Sequence, residues 1–210
     1  MRSCMNDSAH DTEHVYRVLN YALDIAKHES GANAELLAAA CLLHDIGRKE
    51  QFTDPSVDHA ACGAEKARGW LIKNGYSDEF ADAVKGCIRT HRFRSKNPPQ
   101  SLEAKILFDA DKLDVCGAIG IARTLLYKGR ASEPLYSLTE SGEVRDGAND
   151  MEQSFFGEYK FKLEGLYGKF YTKRASELAA KRQAAAKNFY DSLLAEMREC
   201  YSVTTKENAS

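Results

Sequence analysis

The chain has 210 residues, 43% hydrophobic and 29% charged, with a formal net charge of −2 at neutral pH. That length supports one domain with a substantial core, and the balanced charge supplies no overall basic field to draw a nucleic acid. No apolar run is long enough to span a bilayer, the N-terminus has no apolar signal region, and the six cysteines form no CxxC pair, so a cytoplasmic chain with reduced thiols is expected.

Alanine, leucine, lysine and glutamate dominate, and alternating runs of β-branched residues are missing, so nearly every segment reads as helix. The first helix is expected over about 12–28. The second follows Asn33, a side chain suited to N-capping, and stops near Gly47. The third follows Asp58 and ends at Asn74-Gly75. The fourth follows Ser77, with Asp78 and Glu79 at the positive end of its dipole. After a breaker stretch holding Pro98-Pro99, the fifth follows Ser101 and runs past Asp111. Positions 128–150 are rich in Gly, Ser, Glu and Asp and read as an inserted loop or lid. Two later helices are expected over about 151–171 and 173–200. The expected organisation is all-α: a domain over 1–127, the loop over 128–150, and C-terminal helices over 151–210 packing on the same domain. The late stripe Ala175, Leu178, Ala179, Ala186, Phe189, Leu193 could pack within that core or pair two copies as a homodimer.

The informative feature is where ionisable residues fall on apolar stripes. A buried helix face repeats at i, i+3, i+4 and i+7. His14 aligns with Val18, Tyr21 and Ile25, and His44 with Leu37, Ala40 and Cys41. His59 aligns with Cys62, Gly63 and Trp70, and His91 with Phe80, Val84, Cys87 and Ile88. Asp111 aligns with Ala104, Leu107, Phe108 and Val115. A single histidine on an apolar face is more often a hydrogen-bonded core residue than a ligand. Five helices repeating the pattern is a different matter, because a buried charge left without a partner costs about 3–5 kcal/mol. A divalent cation compensates converging imidazoles and carboxylates directly. Neighbours such as His44 and Asp45 point about 100° apart on a helix, so both reach one ion only near the helix end, and Gly47 marks such an end.

His14 in HDTEHVYRV, His44-Asp45 in ACLLHDIGR and Asp111 in ILFDADKLD resemble the H…HD…D signature of the HD-domain metal-dependent phosphohydrolases, over about 8–123. The segment EYKFKLEGLYGKFYTKRASELAAKR more loosely resembles the C-terminal helices of the small bacterial hydrolases of that family, YpgQ-like and YedJ-like. The resemblance implies an all-helical bundle that hydrolyses a phosphate ester or anhydride, with a nucleotide as the expected substrate. It implies His14, His44, Asp45 and Asp111 as ligands of a first metal, and His59 and His91 as ligands of a second. The expected cofactor is therefore one or two divalent ions, with Mn, Fe, Ni, Mg and Zn not distinguished. Asp109 and Asp114 would brace the site or the fold, and His10 would orient His14 or substrate.

Arg48 stands where some nucleotide-cleaving relatives carry an acid, three positions after the HD aspartate. That removes a carboxylate base at this position and favours metal-bound hydroxide as the nucleophile, with cationic side chains on the phosphate. Asp45 and Lys112 are the expected catalytic residues, and Arg17, Arg48 and Arg123 the expected phosphate clamps, since a guanidinium fork matches phosphate oxygens. Lys49, Lys160 and Lys162 are further candidates. The expected partner is a small phosphorylated molecule, with no nucleic acid and no membrane. Two rivals share the ligand pattern: a di-iron oxygenase, and a non-catalytic sensor of a nucleotide or metal. A helical interaction protein with coincidental histidines is a third.

Overall fold

A computed structural model describes residues 12–92, 97–150 and 153–207. Cys4, His10 and the start of the helix expected at 151 lie outside the described residues. No strand occurs among the described residues, where a lone antiparallel bridge joins Leu138 to Val144. The fold is all-α. The chain clusters into two compact units, one formed by residues up to 114 with 170–176, the other by 115–169 with the rest of the C-terminal helix.

The first unit holds α1 (Thr12–Ala26), α2 (Ala34–Leu43), α3 (Arg48–Thr53), α4 (His59–Lys73), α5 (Asp78–Arg89) and α6 (Leu102–Leu113). Four starts are fixed by side-chain caps: Asn33 accepts from the Leu36 N–H, Asp58 from Ala60 and Ala61, Ser77 from Phe80, and Ser101 from Ala104. Helix α1 packs on α2 and α6, α2 on α5 and α6, and α4 along α5. Their shared interior holds Val15, Val18, Ile25, Leu37, Leu71, Ile88, Ile106 and Leu107, all buried. Small residues line the inner face of α4, namely Ala60, Gly63, Ala64 and Ala67. Trp70, expected on that face, is instead 51% exposed, and Leu71 takes the inward position.

Helix α2 ends at Leu43, and a turn carries His44 to Gly47 into the short α3, which the sequence pattern did not separate from its neighbours. Gly47 presses this turn against α4: a Cβ there would lie 2.2 Å from the His59 carbonyl oxygen and 2.7 Å from the Gly63 nitrogen. Its φ of −89° suits any residue, so the glycine is required for space alone. The absent side chain lets the His44-Asp45 turn approach the first turn of α4. Late in the unit, Asp109 of α6 accepts hydrogen bonds from the Tyr171 N–H (3.0 Å), the Thr172 N–H (2.7 Å) and the Thr172 hydroxyl (2.7 Å). This ties the segment 170–176 to α6.

The second unit holds α7 (Gly117–Arg130), α8 (Phe155–Glu158), a π-helical turn (Tyr159–Leu163) and most of α9 (Lys173–Glu207). Helix α7 is separate from α6, a helix that the sequence pattern did not assign. Gly117 opens it at φ +69°, and a Cβ there would lie 2.7 Å from Arg182 Cβ. The helix expected over 151–171 is reduced to α8 and the π-turn, whereas α9 runs unbroken for 35 residues. In α9 the inward positions are Ala179, Ala186 and Tyr190, while Phe189 is 40% exposed. Tyr190 stacks on Tyr159 with centroids 4.1 Å apart, and its hydroxyl donates to the Asp146 carbonyl at 2.5 Å. Within the segment 131–150, the Ser137 hydroxyl donates to Asp150 at 2.7 Å.

Candidate metal centre

Six residues from five helices or their ends converge in the first unit. His14 comes from α1, His44 and Asp45 from the turn after α2, His59 from the first position of α4, His91 from just beyond α5, and Asp111 from α6. His14, His44, Asp45, His59 and His91 are each at most 2% exposed. The imidazoles form a chain, with centroids 5.3 Å apart from His14 to His44, from His44 to His91 and from His91 to His59.

The hydrogen bonds at the backs of the rings fix which nitrogen faces the centre. His44 Nδ1 lies 2.8 Å from the Cys41 carbonyl and His91 Nδ1 2.6 Å from the Ile88 carbonyl. A carbonyl only accepts, so each Nδ1 carries the proton and each Nε2 presents a lone pair. His14 Nδ1 lies 2.7 Å from Asp114 Oδ2 with the same result. His14 Nε2 and His44 Nε2 stand 3.3 Å apart. Both lie 3.6 Å from Asp45 Oδ2, and His14 Nε2 lies 3.5 Å from Asp111 Oδ1. On the other side, Asp45 Oδ1 lies 3.8 Å from His59 Nε2 and 3.7 Å from His91 Nε2.

Two overlapping donor groups result, His14–His44–Asp45 and Asp45–His59–His91, and each could hold a metal ion. Asp45 Oδ2, both His59 ring nitrogens and His91 Nε2 are buried with no hydrogen-bond partner. Orphaned polar atoms of this kind are costly in a native interior, and electron-pair donors alone cannot satisfy one another. Ligand atoms about 2.1 Å from a common ion stand roughly 3.0–3.4 Å apart, close to these separations. The donor set therefore fits a divalent cation on either side of Asp45.

Charge states agree with that role. Burial lowers the His44 pKa to about 4, and burial with the Arg48 cation lowers that of His59 to about 2, so both rings are neutral at pH 7. Burial works to raise the Asp45 carboxyl, but Arg48 and the neighbouring imidazoles outweigh it and hold it well below the usual range. Lys112 and the histidines do the same for Asp111.

The cations are less uniform than expected. Arg48 Nε donates to Asp45 Oδ1 at 2.9 Å. Lys112 is buried against the Phe108 ring, and its Nζ donates to Asp111 Oδ2 at 2.9 Å and to the His91 carbonyl at 3.2 Å. Arg17 donates through Nε (2.7 Å) and Nη2 (3.1 Å) to Asp114, the carboxylate that holds His14. Lys49 is exposed on α3. Arg123, on α7, is buried in the second unit, where Lys160 pairs with Glu164 and Lys162 with Glu158. The sequence reading did not assign Asp114 to His14. Its signal was a matched spacing: Arg17 follows His14 by three residues on α1, as Asp114 follows Asp111 by three on α6.

The helical bundle and its convergent histidine–aspartate cluster define the class: the chain belongs to the HD domain family, whose model matches residues 12–116. Within it, the chain is similar to YpgQ of Bacillus subtilis, at 32% identity over 179 residues covering 83% of this chain and 78% of that one. The solved structure of YpgQ in complex with ADP matches with a TM-score of 0.69 at 29% identity, covering 90% of each chain. The putative phosphohydrolase YueE of Bacillus subtilis is 35% identical over 114 residues, 48% of this chain and 60% of its own. An HD-superfamily hydrolase from Bacillus thuringiensis matches with a TM-score of 0.65 at 26% identity, covering 90% of this chain and 86% of that one. None of the described helices is long and apolar enough to cross a membrane.

Proposed function

We propose that this protein is a metal-dependent phosphohydrolase that cleaves a phosphate ester or anhydride of a nucleotide. The observation that carries the reading is the set of inward lone pairs grouped around one buried carboxylate, Asp45. His14, His44, Asp45 and Asp111 would hold one divalent cation, and Asp45, His59 and His91 a second. A bound divalent cation lowers the pKa of a coordinated water to about 7 and offsets charge on a phosphoryl oxygen. The chain's own contribution is orientation and charge. Asp45 presents one oxygen to each donor group. Lys112 holds Asp111 by Oδ2 so that Oδ1 faces His14, and its buried ammonium adds positive charge where a phosphate would gather. Arg48 is the second cation at the ligands. Arg17 braces Asp114 and, through it, His14. A nucleotide substrate is supported by the ADP bound to YpgQ, and a phosphoryl substrate by the description of YueE.

The test is phosphate release from a panel of nucleotides and model esters with Mn2+, Ni2+, Fe2+ or Mg2+. His44→Ala and Asp45→Ala should each reduce turnover about a hundred- to a thousandfold while circular dichroism keeps its helical signal, the scale that removing one preorganised group reaches. Undiminished turnover in chelated His44→Ala protein would overturn the reading. Tight nucleotide binding without phosphate release would instead favour a sensor.

A further inference from the structure

The two donor groups that share Asp45 are not equivalent. Asp45 Oδ2, which faces His14 and His44, has no hydrogen-bond partner. Asp45 Oδ1, which faces His59 and His91, already accepts from Arg48 Nε at 2.9 Å. The backbone brings Arg48 to this place: it opens α3, three residues after Asp45, across the turn that Gly47 presses onto α4. Its far end is held loosely, with one Nη1 donating to Gln51 at 3.2 Å, and its side chain is 21% exposed. Arg48 therefore has solvent to swing into, unlike Lys112, which is buried.

We propose that Arg48 is a latch on the second donor group: it occupies the Asp45 oxygen that a cation at His59 and His91 needs, and releases it when a phosphate anion draws the guanidinium away. This rests on the metal reading given above. The physical reason is competition for one oxygen. A cation beside Oδ1 would face a fixed positive charge and would displace a charge-assisted hydrogen bond. The guanidinium is a better partner for a phosphate, which accepts two parallel N–H bonds, than for a carboxylate reached through one nitrogen. The first cation would then bind tightly without help, and the second would bind together with the anion. Linkage makes the effect reciprocal, so the second cation also tightens the anion.

The experiment is Mn2+ titration of the full chain by equilibrium dialysis, with room-temperature electron paramagnetic resonance to count free ion, with and without inorganic phosphate. Wild type should bind one Mn2+ tightly and a second roughly ten- to a hundredfold more weakly, the range a charge-assisted hydrogen bond represents. Phosphate should narrow that gap. Arg48→Gln should tighten the second Mn2+ by a similar factor without phosphate, and should reduce the further gain from phosphate. Arg48→Met, which keeps the stem without donors, should do the same. His59→Ala should remove the second ion and leave the first. A second ion no tighter in either Arg48 variant, with the first unchanged, overturns the latch. No stoichiometric Mn2+ in wild type overturns the metal reading itself.

Discussion

Asp114 is the residue on which the geometry of His14 turns. It accepts from the ring at 2.7 Å and is gripped through two nitrogens by Arg17. An anionic acceptor behind a ligand fixes the tautomer and strengthens the lone pair in front. Asp114→Asn should weaken the first Mn2+ about ten- to a hundredfold in equilibrium dialysis. It should also shift the His14 Nδ1 signal in imidazole NMR of the metal-free protein, which a loss of general stability would not do. An unchanged affinity and tautomer would make Asp114 a structural residue only. This pairing also shows where sequence reading stops at the residue scale. Arg17, one turn beyond His14, was expected on phosphate, because the sequence gives the face of α1 but not what α6 places opposite it. Asp114 lies 97 positions from Arg17. His91, by contrast, was legible from its own stripe, and His59 from a stripe that erred at Trp70; both rings arrive beside Asp45.

Among the elements, the turn between α2 and α3 has little tolerance. A methyl group at Gly47 would overlap the His59 carbonyl oxygen at 2.2 Å, a backbone atom that no rotamer change can move. Gly47→Ala should cost about 1–3 kcal/mol in urea unfolding, the usual scale of overpacking. It should also weaken the second Mn2+ more than the first, since the clash separates His59 from Asp45. A neutral substitution would mean the turn and α4 are not in such close contact. The long helices were readable because their caps announce them: Asn33, Asp58, Ser77 and Ser101 each accept from the first turn of the helix that follows. The six-residue α3 was not, because it has no side-chain cap and is too short to show a period. The break before α7 was hidden for a related reason, since Cys116 gives no capping bond and Gly117 supplies only a φ. Trp70 failed to face inward because alanines and Gly63 fill that side of α4.

For the whole molecule, holding so many neutral imidazoles inside has a pH signature. His44 has a folded pKa of about 4 and His59 of about 2, against about 6.5 in an unfolded chain. The unfolded chain thus binds more protons as pH falls below neutrality, so acid favours unfolding. The stability these rings allow is fully present above about pH 6.5 and is lost progressively down to their folded values, His44 alone accounting for about 3 kcal/mol. The carboxyls of Asp45 and Asp111, also depressed, act in the same direction below about pH 4. Urea midpoints of the chelated protein should therefore fall between pH 7.5 and pH 5. A midpoint that rises over that range would contradict the buried, neutral state of the rings.

The bond network at Asp109 sets an order in time. The family model ends at residue 116, yet the first unit includes 170–176, which Asp109 fastens to α6. A ribosome that has just finished the metal-binding residues still has about 60 residues to add before that fastening can form. At roughly 5–20 residues per second, Asp109 is made several seconds before the donors that hold it. The hydrogen bonds that close the first unit at Asp109 therefore form only after the segment 170–176 has been made.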